Sequence, residues 1–233
     1  MKNQLLGKVC KVLDAVVCSE KPLTLRELAD MLDMPPATVG RITSDLAEMD
    51  LLEKIDYHTF APAPGMARFG LAALEKSQLL KKAVPLIEDF VSALKMNAVL
   101  VTFDGENISK LYLYGEKVSP GYIYRSGVEV MVLAASGIRM EKAFDILNRK
   151  YPALNDTERL LLERELEQAA KAGALLRVRS IYECAFALPF RFNDKLYTLS
   201  VYGVLPENYT QERFCFDSSL LISKILSTGA VDE

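Results

Sequence analysis

The chain has 233 residues, half of them hydrophobic and a quarter charged, and carries a net charge of −3. That composition excludes low-complexity disorder and provides enough chain for one large domain or two ordinary ones. The longest strongly apolar run, residues 130–135, is too short to span a membrane. Lys8, Lys11 and Asp14 interrupt the apolar start that a secretion signal would need, so a cytoplasmic protein with no membrane association is expected.

Cys10, Cys18, Cys184 and Cys215 include no pair at metal-ligand spacing, and His58 is the single histidine. Reduced and mostly buried thiols are expected, with no metal and no cofactor. Residues 1–64 hold seven Lys/Arg against ten Asp/Glu, so the excess of acid sits in the first quarter of the chain.

Residues 4–17 place Leu5, Leu6, Val9, Val12, Leu13, Val16 and Val17 at helical spacing. After SEKPLT, the stretch Thr24-Leu-Arg-Glu27 forms a capping box that starts a second helix through Leu25, Leu28, Ala29 and Leu32. Pro35 and Pro36 end it, one of them fit for the first turn of a third helix running to about Leu52. EKIDYHTFAPAPG then reads as a short hairpin turning at Asp56-Tyr57-His58. Three helices and a hairpin, with a few residues between the second and third helices, are the layout of a winged helix-turn-helix.

From Met66 to about Leu94 the pattern is helical, with Pro85 as a kink or boundary. Beyond it, NAVLVTF and ISKLYLYG are strands joined at Asp104-Gly105. Helices follow through MEKAFDILN and from near Asn155 to Gly173. Strands ALLRVRS, CAFALPFRF and LYTLSVYGVL come next, the last two turning at Asn193-Asp194, and QERFCFDSSLLISKIL closes the chain as a helix. The alternating tyrosines Tyr112, Tyr114, Tyr122 and Tyr124 read as half-buried sheet residues. The expected fold is a two-domain α+β chain: a winged helix-turn-helix over 1–64, a linker helix over 65–94 and an antiparallel-sheet domain over 95–233.

At about 100° per residue, Val39, Ile42, Leu46 and Met49 make one core stripe of the third helix. Opposite lie Ala37, Gly40, Arg41, Ser44 and Glu48. Small residues let a backbone approach base edges, and an arginine forks onto guanine O6 and N7. Thr38 at the flank suits a phosphate, and Arg26 and Lys54 suit backbone contacts. An ordinary amphipathic packing helix fits the same pattern. No catalytic residue is expected: His58 lies in the hairpin, and Ser92-Ala-Leu-Lys95 lacks partner motifs.

The whole chain resembles the IclR family of bacterial transcriptional regulators. The stretches that carry the resemblance are LTLRELADMLDMPPATVGRITSDLAEMDLLEK, FAPAPGMARFG and CAFALPFRFNDKLYTLSVYG. In the first, Thr38 and Arg41 stand in the positions of the family's threonine and arginine. In the second, Ala61 and Pro62 replace its usual leucine-glycine. The resemblance implies a homodimer or tetramer on a double-stranded operator, and a GAF-like effector domain binding an organic acid or aromatic metabolite. Carried across, Cys184 and Ser200 match cavity-lining positions, and Tyr202 falls where a second serine is common. Ala135, Ser136 and Gly137 fall near the loop that closes the pocket.

Ile138-Arg139 replaces the glycine-lysine pair of that loop, and Arg177 and Arg179 appear where an acidic residue is often found nearby. An arginine-bound carboxylate ligand and a solvent-facing arginine pair are both open readings. A second functional reading, motivated by the acidic N-terminal region, is a ligand sensor or scaffold that binds a protein rather than DNA.

Overall fold

The computed structural model describes residues 4–19, 21–115, 122–151, 154–178 and 183–227. Arg179, the partner expected beside Arg177, lies outside them. The chain forms two compact units, Met1–Ser77 and Gln78–Glu233.

The first unit contains α1 (Gln4–Cys18), β1 (Leu23–Thr24), α2 (Leu25–Leu32), α3 (Pro36–Glu48), β2 (Leu52–Lys54), β3 (Thr59–Pro62) and α4 (Ala67–Lys76). Thr24 and Glu27 close the expected capping box. The Thr24 hydroxyl accepts the Glu27 N–H at 3.2 Å, and Glu27 accepts the Thr24 N–H at 2.8 Å. α2 stops before the prolines, because Asp33 turns left-handed at φ 49°. Pro36 then opens α3 as its first helical residue. The strands form an antiparallel sheet in the order β1-β3-β2. Val12, Val16, Leu28, Val39, Ile42, Leu46, Leu52 and Phe60 share its core.

α3 is shorter than expected. Asp50 adopts φ 58°, the Leu51 N–H returns to the Leu46 carbonyl, and Leu52 begins β2. Met49 therefore lies past the helix and is 62% exposed, outside the stripe assigned to it. Thr43 takes the fourth buried position, with its hydroxyl donating to the Gly40 carbonyl at 3.1 Å.

Two helices stand where one linker helix was expected. Ser77 is extended (ψ 114°) and separates α4 from α5 (Gln78–Leu94), which carries Pro85 inside it. The division into units falls at this break, within 65–94.

In the second unit, β4 (Asn97–Phe103), β5 (Ile108–Tyr114), β6 (Leu175–Val178), β7 (Glu183–Phe192) and β8 (Lys195–Val204) form one antiparallel sheet, ordered β5-β4-β8-β7-β6. Asn193 and Asp194, both at positive φ, make the two-residue β7–β8 turn expected for them. α5 and α9 (Gln211–Ser227) cover one face of the sheet. α6 (Tyr122–Ser136), α7 (Met140–Lys150) and α8 (Asp156–Ala172) cover the other. α8 runs from its Asn155 capping box to Gly173, whose φ of 69° suits glycine at a helix end.

The tyrosine reading changes here, since Tyr122 and Tyr124 begin α6 rather than a strand. Val128, Val130 and Val132 alternate with equally buried neighbours, so residues 127–133 of the helix are buried all round and show no helical stripe.

Candidate nucleic-acid interface and ligand face

α3 follows α2 after three residues. Leu25, the first residue of α2, packs so closely beneath α3 that a Cβ on Gly40 would lie 3.2 Å from its Cδ1. Gly40, expected on the free face, is thus the close contact between the two helices. The free face is built from Ala37, Arg41, Ser44 and Glu48, all exposed, with Thr38 half-buried at its flank and Asp45 exposed beside it. Among the described residues Arg41 has no hydrogen-bond or ion-pair partner. No side chain caps the N-terminus of α3; Pro36 has no N–H and the Thr38 N–H donates to the Pro35 carbonyl at 2.9 Å, so the first turn offers an anion the Ala37 N–H and the partial positive charge of the helix end.

Arg26 lies on an exposed face of α2, 3.9 Å from Asp30 in a loose surface pair. At the other side of α2, the Leu25 N–H donates to the His58 carbonyl at 2.9 Å. Leu25 therefore joins three elements: the start of α2, the middle of α3 and the tip of the β2–β3 wing. Lys54, at the end of β2, holds its Nζ 4.8 Å from the centre of the Tyr57 ring.

The residues expected to line a ligand cavity do not share one face. Ser200 pairs with Ala187 and Val99, and Tyr202 with Ala185, so both serine and tyrosine face α6. Cys184 pairs with Gly203 and packs on the opposite side of the sheet, against the α5–α9 layer. Because strand side chains alternate, Cys184 cannot line a cavity with Ser200 and Tyr202. Ala185 takes the position facing α6. Burial pushes the Cys184 thiol up to about 11, with neighbouring Cys215 adding to the rise, so it is an inert core thiol.

Ala135 packs against the α6-side core. The Ser136 hydroxyl donates to the Leu133 carbonyl at 2.7 Å and accepts the Ile138 N–H at 3.3 Å, and Gly137 turns left-handed at φ 74°. These two residues cap the end of α6. Thr198, on the same sheet face as Ser200, is fully buried, and among the described residues its hydroxyl has no hydrogen-bond partner.

Two charges buried in this unit escaped the sequence reading of partners. Arg177 is 7% exposed and faces inward, where its Nε donates to Glu165 at 2.9 Å and its Nη2 donates to the second carboxylate oxygen. Its carboxylate is supplied from within the chain, so neither open reading of Arg177, ligand anchor or solvent-facing residue, describes it. Glu129, 1% exposed, is held by the Tyr151 hydroxyl and by Lys150 at 2.7 Å. A lone glutamate inside the apolar VEVMVL is the sequence signal that marks it.

Residues 6–56 match the IclR helix-turn-helix domain. The IclR match runs from α1 to the start of the wing turn, takes in Arg26, Ala37, Thr38, Gly40, Arg41, Ser44 and Lys54, and stops one residue before Tyr57. The HTH-type transcriptional regulator BhcR of Paracoccus denitrificans (strain Pd 1222) is 32% identical over 105 residues, 44% of this chain and 37% of that protein. The matched region is thus well under half of that regulator's length.

Two solved structures share the fold across both units. An IclR family transcriptional regulator from Brucella abortus superposes with a TM-score of 0.71 at 19% identity, covering 96% of this chain and 91% of that one. An IclR homologue from Microbacterium hydrocarbonoxydans, complexed with 4-hydroxybenzoate, gives a TM-score of 0.59 at 17% identity, covering 96% and 98%. The IclR resemblance and the α+β architecture expected from the sequence both hold. No helix among the described residues is long and apolar enough to cross a membrane.

Proposed function

We propose that this protein is a non-enzymatic, cytoplasmic transcription regulator that reads an operator sequence and is tuned by a small-molecule effector. The free edge of α3 carries the reading: Arg41 is exposed and unpartnered between Ala37 and Ser44, on a helix whose opposite side is locked into the core. A guanidinium there can fork onto guanine in the major groove. Thr38, Ser44 and the Ala37 N–H take phosphates or base edges, and Arg26 and Lys54 hold the backbone. Gly40 contributes by letting α2 and α3 approach. With so few cations the salt dependence of binding is shallow.

The effector half of the reading is a small organic acid or aromatic metabolite held between α6 and the sheet. Small side chains at Ala185, Ala187 and Ser200 and the unpartnered Thr198 hydroxyl support it, as does the 4-hydroxybenzoate held by the Microbacterium homologue. Tyr202 narrows this space, Ala135, Ser136 and Gly137 bound its α6 end, and Cys184 is no longer among its residues. The ligand acts by binding one arrangement of the DNA-reading units better than another.

The protein works as a homodimer or a tetramer of this chain. α4 buries none of its ten residues and exposes Phe69, Leu71 and Leu74, and an isolated helix of that length is unstable in water. A second copy covering α4 accounts for it.

The test is selection of duplexes from a randomised pool by the purified protein, followed by 4-hydroxybenzoate titration of the complex. The expected result is an enriched inverted repeat whose binding shifts with the ligand. A protein that enriches no duplex contradicts the reading, and one that captures a protein partner instead favours a scaffold.

A further inference from the structure

Asp50 lies just past the end of α3, and Gly65 lies just before the start of α4. Asp50 holds φ at 58°, a left-handed conformation uncommon for a residue with a side chain. Its N–H donates back to the Ala47 carbonyl at 3.0 Å. Gly65 is in the single turn Pro64–Met66, which runs into α4 through Ala67 at φ −58° and ψ −34°. The two residues are pressed together. A Cβ on Gly65 would collide with the Asp50 carbonyl oxygen and with its Oδ2, and would lie 2.6 Å from its Cγ. Only glycine permits so close an approach. Around this contact the Ala63 N–H donates to the Leu51 carbonyl at 3.1 Å, and the Met66 N–H to the Ala63 carbonyl at 3.0 Å. Leu52 pairs with Pro62, and Ala63 is buried. The end of α3 and the start of α4 are therefore fixed to each other.

None of the ten residues of α4 is buried, so no packed face holds this helix, and its angle to α3 is set at the joint. Resting on the DNA-binding and dimer readings above, we propose that the Asp50–Gly65 contact determines which operator spacing the protein accepts. It fixes the angle between α3, which meets the bases, and α4, whose Phe69, Leu71 and Leu74 meet the second copy. That angle sets the distance between the two half-sites. α4 is about 15 Å long, so a swing of about 20° at its base carries its far end roughly 5 Å, more than the rise of about 3.4 Å for one base pair. Each added base pair also turns the second half-site by about 35° around the duplex. Spacing is thus read sharply, without any contact to the bases between the half-sites.

The probe is the selected half-site placed twice as an inverted repeat, on duplexes whose spacer grows one base pair at a time. Wild type is expected to favour one spacer length and to bind the lengths on either side about tenfold more weakly. Gly65→Ala forces the joint apart and is expected to move or flatten that optimum, with the base preference inside each half-site unchanged. Asp50→Gly keeps the left-handed backbone but removes the carboxylate wedged against Gly65, and is expected to flatten the profile. Gly70→Ala is the control, because a Cβ there meets nothing within 4 Å, and it should leave the optimum in place. Circular dichroism checks the folding of all three variants, and if Gly65→Ala does not fold, Asp50→Gly decides alone. A merely structural joint would weaken every spacer length alike, and that result overturns the proposal. So does an optimum that stays where it is in both joint variants, or a wild type that binds every spacer equally; in each of these cases the DNA-binding reading stands. If wild type selects no duplex, both fall.

Discussion

Helix α3 keeps its arginine outside and unpaired, while α6 keeps its glutamate inside, held by a lysine and a tyrosine. Both helices bury side chains in a core, so burial alone does not separate the proposed reading element from a scaffold element. The difference lies in where each charge is satisfied. A buried charge must find its partner within the fold, because leaving it unpaired costs several kcal/mol. An exposed charge with no partner costs nothing and remains free for a ligand. Arg177 shows how this rule corrects a sequence reading: an arginine near a presumed ligand space is already engaged by Glu165.

The contrast breaks most sharply between two adjacent residues. Ile42→Ala should cost the first unit about 3 kcal/mol through the cavity it leaves, read as faster hydrogen exchange in α3 and a lower urea midpoint. Its neighbour Arg41→Ala should change stability by less than about 0.5 kcal/mol. If both variants destabilise alike, Arg41 has an internal role and the inside–outside distinction fails. In the second unit, Glu165→Ala should cost about 2 kcal/mol, less than a fully buried pair because Glu165 is partly exposed. Unchanged urea unfolding of that variant would mean that the Arg177 pair contributes nothing.

Smaller effects sharpen the same comparison at the first unit's surface. Thr24→Ala should cost about 1 kcal/mol by removing the α2 cap. Lys21, with the Thr24 N–H and hydroxyl, holds the Glu27 carboxyl at about 2 instead of its ordinary 4.5. Its folded pKa is lowered, so its stabilisation is present above pH 4.5 and is lost as the pH falls toward 2. Glu27→Gln should flatten the acid limb of the stability curve in that window, and an unaltered limb would contradict the assignment. The smallest expected change is at Cys184. With its thiol pushed up to about 11 and buried, iodoacetamide at pH 8 should label exposed Cys10 and spare Cys184, with or without 4-hydroxybenzoate. Protection of Cys184 by that ligand would return it to the cavity.

The first unit was legible wherever local chemistry decides the outcome. The Thr24–Glu27 box, Pro36 at the start of α3 and the apolar positions Val39, Ile42 and Leu46 follow from spacing and capping alone. Met49 was misplaced because helical periodicity says nothing about where a helix stops, and the left-handed Asp50 that stops it is set by the turn into β2. In the second unit, Tyr122 and Tyr124 gave a false strand signal because alternating aromatic residues over so short a run fit a strand as well as the start of α6. Cys184 was grouped with Ser200 and Tyr202, but the strand register puts it on the opposite face of the sheet. The inward pairing of Arg177 depends on Glu165, twelve residues away on another element, which no local pattern connects.

The most direct measurement is a salt titration of wild type and Arg41→Ala on the selected duplex. Wild type should bind with a shallow salt slope, and Arg41→Ala should lose about 1–3 kcal/mol of specific binding while its folding is unchanged. Equal affinity of the two proteins at every salt concentration would contradict the claim that α3 reads DNA through Arg41.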